Sequence, residues 1–128
     1  MCIRDRYLIV ETAGGLMVPI TRNYLQIDQI KKWYIPVILV CRSGLGTLNH
    51  TLLSIEALKK RNIKILGLVI NGKKHLDNPK TLTEFSNLPI IAEFPYIQKI
   101  GSNHLDILWV KLNIKNKLIS LLNSKKDK

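Results

Sequence analysis

Cysteine, aromatic and acidic side chains are all scarce in this sequence, and each shortage excludes a class of protein. Two cysteines, Cys2 and Cys41, lie far apart with no His or Cys cluster near either. That pattern excludes a readable zinc site or disulfide framework and fits a reducing compartment. No apolar run reaches the roughly 20 residues of a membrane-spanning helix, and no signal-peptide pattern precedes the first apolar segment. A soluble cytoplasmic protein is expected. Nine acidic residues against 20 Lys and Arg leave a net charge of +11, which raises the question of nucleic acid. The basic residues are scattered, however, and the one dense group, Lys59-Lys60-Arg61, closes a helical pattern where cations complement the dipole. Neither a nucleic-acid nor a membrane partner is expected. Also missing is any G-x-x-x-x-G-K-[ST] phosphate loop, since "GGLMVPITR" and "RSGLGTLNH" lack both the lysine and the spacing.

What is present is a repeat of apolar runs and helical stripes. "YLIVE" (7 to 11), "PVILVC" (36 to 41), "IKILGLVIN" (63 to 71) and "PIIAEF" (89 to 94) are short and nearly continuous, as strands buried on both faces of a parallel sheet should be. Tyr24, Leu25, Ile27, Ile30 and Trp33 form a helical stripe that ends ahead of Pro36. Leu48, Leu52, Ile55 and Leu58 form a second. Asn78 is a candidate N-cap with Pro79 at the first helical position, and 104 to 122 should contain a closing helix. The alternation predicts an α/β layered fold, whose ligands bind outside the C-terminal ends of the strands. The whole is expected to be one domain over 7 to 123, with 1 to 6 a non-native leader and 124 to 128 a disordered tail.

Four places after strands are therefore the candidate site. Glu11 ends the first run and precedes Gly14 and Gly15; a carboxylate there needs amides, a partner or a metal. The stretch "CRSGLGTLNH" runs from a strand straight into a helix, whose free N–H groups suit an anion. Asn71 and Gly72 form a turn dipeptide whose amide could also read a base edge. "EFPYI" offers Pro95 and the flat face of Tyr96. Each also has a purely structural reading: a glycine turn, a tight connection, a packed aromatic. His50 reads as a hydrogen-bonded structural residue, His75 and His104 as solvent-exposed, and Arg42 and Ser43 carry no assigned chemistry.

The ordered set "VETAGGLMVP", "PVILVCRSGLGTLNHTLLSIEAL", "LGLVIN" and "IIAEFPYI" resembles the C-terminal half of the dethiobiotin synthetases. That resemblance implies a three-layer P-loop NTPase-like fold and an ATP- and magnesium-dependent homodimer. Such an enzyme carbamates diaminopelargonic acid with carbon dioxide, phosphorylates the carbamate and closes the ureido ring of dethiobiotin. Carried onto this sequence, Glu11 becomes a magnesium ligand. Glu11, Thr12, Ala13 and Gly14 approach ATP, as do Asn71, Gly72, Pro95, Tyr96 and Ile97. Gly14, Gly46, Thr47 and Asn49 hold the substrate, with the helix start reaching across the dimer to its carboxylate. Thr12 stands where the family usually has glycine.

The family's phosphate loop and catalytic lysine have no counterpart here, so a fragment with no catalytic residue of its own, inactive alone, is expected. Two alternatives stay open. One is another member of the superfamily, akin to a cobyrinic acid amidase or a partitioning ATPase; the other is a non-catalytic nucleotide-binding module.

Overall fold

A computed structural model describes residues 8 to 124. In chain order the elements are β1 (Pro19–Thr21), β2 (Tyr24–Leu25), α1 (Gln26–Trp33), β3 (Val37–Arg42), α2 (Thr47–Lys60), β4 (Ile65–Asn71), α3 (Asn78–Ser86), β5 (Ile90–Phe94), α4 (Ser102–Lys111) and α5 (Ile114–Asn123). β3, β4 and β5 form a parallel sheet in that order, with β4 central. α2 connects β3 to β4 and α3 connects β4 to β5, the helical crossovers that parallel pairing requires. The expected α/β layering is what the chain adopts.

Alternation along the strands assigns the faces. Leu68 and Ile70 of β4 turn to one side and meet Cys41, Ile55 of α2 and Leu82 of α3. Val69, between them, packs against the cluster of Ile91, Ala92 and Ile114 on the opposite side, beneath α5. A third cluster of Ile27, Ile30, Leu58 and Ile63 joins α1 to the strand beginnings at Val37 and Ile65. Leu58, Leu68 and Leu82 are completely buried, a contribution of about 1.5–3 kcal/mol each. Two lysines tie elements together: Lys59 Nζ of α2 donates to the Ser86 carbonyl of α3 at 3.0 Å, and Lys117 Nζ of α5 to the Ile91 carbonyl of β5 at 3.1 Å. α1 is fastened at its start by Asp28, whose Oδ2 accepts the Leu25 N–H at 3.2 Å while Oδ1 pairs with Arg61 at 3.3 Å.

Four expectations are corrected. The apolar run at 7 to 11 makes no strand over 8 to 11; Leu8 and Ile9 are 86% and 88% exposed. A strand exists only by pairing, and residues 8 to 11 pair with no other segment among the described residues, although β3 is the edge strand of the described sheet and Val40 there is 64% exposed. Tyr24 and Leu25, taken as part of a helical stripe, instead pair with β1 in a small antiparallel hairpin, so α1 starts at Gln26. Asp77, not Asn78, is the cap residue of α3, and Pro79 falls one place further in. The closing segment is two helices. Asn113 between them adopts φ 52°, a left-handed conformation that asparagine tolerates and that no continuous helix contains. Tyr7, the leader at 1 to 6 and residues 125 to 128 of the tail lie outside the described residues. Among the described residues no helix is long and apolar enough to cross a membrane.

Candidate functional site

The three parallel strands end together, and their last residues are tied side by side. Ser43 N–H donates to the Asn71 carbonyl at 3.1 Å, and Gly72 N–H to the Phe94 carbonyl at 3.0 Å. Beyond these ends lies a cleft of about 270 Å³ with Ser43, Gly72, Glu93, Phe94 and Pro95 in its walls. Lys73, Lys74 and His75, on the chain leaving β4, form the rest of its rim over Ile70. Gly72 has φ 136°, and a Cβ on it would stand 2.5 Å from Ser43 Oγ. A side chain here would both strain the backbone and fill the cleft's inner corner, so the glycine is required. Ser43 is held in turn by Asn78, whose Nδ2 donates to the Ser43 carbonyl at 2.9 Å.

The start of α2 is built from the loop after β3. Gly46 has φ 85° and caps the helix with no side-chain bond. Thr47 is 5% exposed, and its Oγ1 donates to the Arg42 carbonyl at 2.6 Å while standing 3.3 Å from Thr51 Oγ1. The Thr47 hydroxyl is thus spent on fixing helix to strand. The backbone remains: the N–H groups of Leu48 and Asn49 meet no acceptor among the described residues, whereas those of Thr47 and His50 bond to the Gly44 and Gly46 carbonyls. Gly46 and Asn49 are exposed. His50, expected to be a hydrogen-bonded structural residue, is exposed and its side chain bonds to no other described residue. Below the loop, burial pushes the Cys41 thiol pKa up, offset in part by a hydrogen bond from Thr51.

The glycine turn at 11 to 15 is positioned elsewhere. Its carbonyls at Gly14 and Gly15 both accept from Gln26 Nε2 at 3.2 Å, and Gln26 is buried at the start of α1. Gly14 has φ 85°, and a Cβ there would press on Val18 at 3.2 Å. Leu16, just beyond, packs on the cluster where β3 and β4 begin. Glu11, Ala13 and Gly14 are exposed, Thr12 is half-buried, and none of the four lines the cleft. Among the described residues no group of three or more His, Cys, Asp and Glu side chains could hold a metal.

Of the residues anticipated from sequence, the structure therefore brings Gly72 and Pro95 into one cleft, with Asn71 exposed at the end of β4 beside them. Tyr96 is exposed and Ile97 half-buried on the chain leaving β5, while Gly46, Thr47 and Asn49 open the neighbouring helix. His75 is exposed, as expected, yet it lines the cleft. Ser43, Lys73, Lys74, Glu93 and Phe94 were not anticipated. Their only sequence signal is position, directly at or after strand ends, and that rule applied to every residue there would have found them.

Comparison with known proteins adds to this geometry. The profile of the AAA domain family matches residues 3–104. ATP-dependent dethiobiotin synthetase BioD of Lawsonia intracellularis is 46% identical over 98 residues, covering 77% of this chain and 48% of the relative. The protein of the same name from Bradyrhizobium diazoefficiens is 42% identical over 101 residues, covering 79% and 48%. The biotin biosynthesis bifunctional protein BioCD of Bordetella avium is 44% identical over 104 residues, covering 81% and 22%. The chain spans about half the length, or less, of the curated relatives it matches.

Proposed function

This chain belongs to the AAA domain family, and from that premise we propose that it carries part of the active site of an ATP-dependent dethiobiotin synthetase. The reaction proposed joins carbon dioxide and 7,8-diaminopelargonic acid through a phosphorylated carbamate to give dethiobiotin, with ATP and magnesium consumed or required. The observation that carries the proposal is the cleft beyond β4 and β5, lined by Gly72 and Pro95 with Asn71 at the adjoining end of β4, in a chain 46% identical to a dethiobiotin synthetase.

About 270 Å³ falls just below the range of roughly 300–1,000 Å³ typical of small-molecule pockets. Such a volume suits one heterocycle rather than a whole nucleotide. In this role the Asn71 amide donates to and accepts from the edge of adenine. Gly72 keeps the corner open, Pro95 supplies an apolar wall, and Tyr96 and Ile97, next along the chain leaving β5, are assigned to the base as well. Lys73 and Lys74 give the rim positive charge, favourable for phosphates that extend outward.

The start of α2 takes the substrate's carboxylate. The free N–H groups of Leu48 and Asn49 and the dipole supply the attraction, Gly46 lets the anion approach, and Thr47 acts by holding the helix in place. A twofold assembly in which this helix serves the partner protomer is part of the proposal. Glu11, Thr12, Ala13 and Gly14 are assigned to the phosphate side. One exposed carboxylate fits magnesium, an ion that keeps several waters and is shared with phosphate oxygens, better than it fits a metal needing a full protein cage. When bound, the ion would neutralise charge on the phosphoryl group being transferred.

The test is calorimetric titration of the full chain with ADP, adenosine and inorganic tripolyphosphate. The base-bearing ligands are expected to bind, and Asn71→Ala to weaken them about tenfold without affecting tripolyphosphate. Equal binding of all three, or an Asn71→Ala variant with unchanged affinity, refutes the assignment of this cleft.

A further inference from the structure

We propose that His75 is a positioning residue for this cleft, acting as a neutral imidazole that caps α3 and sets the rim through Asn78. The cap residue of α3, Asp77, makes no side-chain bond to the helix N–H groups; its carboxylate accepts instead from Thr81 Oγ1 at 3.4 Å. The vacant role is taken from two residues upstream. The backbone N–H groups of Asp77 and Asn78 both point at His75 Nδ1, at 3.3 and 3.1 Å. A nitrogen approached by two donors must offer its lone pair, so the ring proton is on Nε2. An imidazolium would have no acceptor to offer and would set positive charge against the positive end of the helix.

The consequence travels through Asn78. Its backbone is held by His75, and its side-chain Nδ2 donates to the Ser43 carbonyl at 2.9 Å, a link across 35 positions of sequence. Ser43 in turn donates its N–H to the Asn71 carbonyl at 3.1 Å. His75, Asn78, Ser43 and Asn71 thus form a chain of hydrogen bonds around Gly72. Lys73 and Lys74 lie on the segment between the two anchored points, so the clamp fixes where the rim lysines stand. That this geometry serves an adenine nucleotide rests on the function proposed above. The clamp itself rests only on these bonds.

Three measurements on the full chain separate the clamp from the nucleotide reading. The ¹⁵N spectrum of the imidazole should show His75 protonated on Nε2, and amide exchange should show Asp77 and Asn78 protected. His75→Ala should speed exchange at both amides about fivefold, the usual effect of losing a cap, and His75→Asp, whose carboxylate is a good acceptor near a helix start, should restore protection. An Nδ1-protonated ring, or unchanged exchange in His75→Ala, overturns the clamp. ADP titration of the same proteins reads the link to the site. Weaker binding in His75→Ala, recovered in His75→Asp, supports it, and identical affinities in all three overturn it. If the wild-type chain binds no ADP while the amides respond as expected, the nucleotide reading fails and the clamp stands.

Discussion

Substitution of Gly72 by alanine tests whether the cleft's inner corner is as tightly specified as its geometry implies. Two separable penalties follow from the structure. The backbone at φ 136° lies in a region that only glycine occupies comfortably, at a cost of about 1–3 kcal/mol for any other residue. The new Cβ would also lie 2.5 Å from Ser43 Oγ but 3.5 Å from Ser43 Cβ and 3.7 Å from its nitrogen. Only the hydroxyl is in the way, so the clash is relieved by turning one χ1, costing about 0.5–1.5 kcal/mol. Together they come to about 1.5–4.5 kcal/mol. With a urea slope of about 2 kcal/mol/M, typical for a domain of this size, the unfolding midpoint should fall by about 1–2 M. Adding Ser43→Ala to Gly72→Ala should return only the smaller share, because it removes the hydroxyl and leaves the backbone strained. A single-variant shift under about 0.3 M, or full recovery in the double variant, would show that the dihedral angle imposes no constraint and that the cleft is not shaped as described.

Gly67 in β4 faces a harder obstacle: an added Cβ would meet the Pro89 carbonyl at 2.7 Å and Ile91 Cγ1 at 2.9 Å, and that carbonyl already accepts the Leu68 N–H at 2.9 Å. Gly67→Ala should cost about 1–3 kcal/mol and speed amide exchange at Leu68, and an unchanged urea midpoint would contradict the close approach of β4 and β5. Cys41 is buried with its thiol pKa raised chiefly by that burial, so little thiolate, the reactive form, is present near neutral pH. In a Cys2→Ser variant, a disulfide reagent at pH 8 should modify Cys41 about a hundredfold more slowly in native protein than in urea; rapid native labelling would show that the thiol is accessible.

The parts of the fold legible in the sequence are those whose side chains record two environments at once. "ILGLVIN" carries apolar residues on both faces because β4 is flanked on one side by α2 and α3 and on the other by α5. The α2 stripe is legible for the same reason, as Ile55 and Leu58 each enter a core cluster. "LIV" at 8 to 10 has the same composition, but a strand also needs backbone partners, and pairing is a property of neighbours that no local pattern records. The site divides in the same way. Gly72 announces itself beside Asn71 because turn chemistry is local. The bond from Asn78 to Ser43 spans 35 positions, so Ser43 reads as an unremarkable loop residue until α3 is laid against the end of β3. Thr47 shows the opposite error. Its place at the head of a helix suggests a hydroxyl offered to a ligand, yet the Arg42 carbonyl at the end of β3 claims it first, at 2.6 Å. Thr47 is itself buried, so its hydroxyl needs a partner within the fold, and the Arg42 carbonyl supplies one. What the head of α2 can offer an anion is therefore its backbone, and its specificity must come from the shape of the loop that Thr47 holds in place.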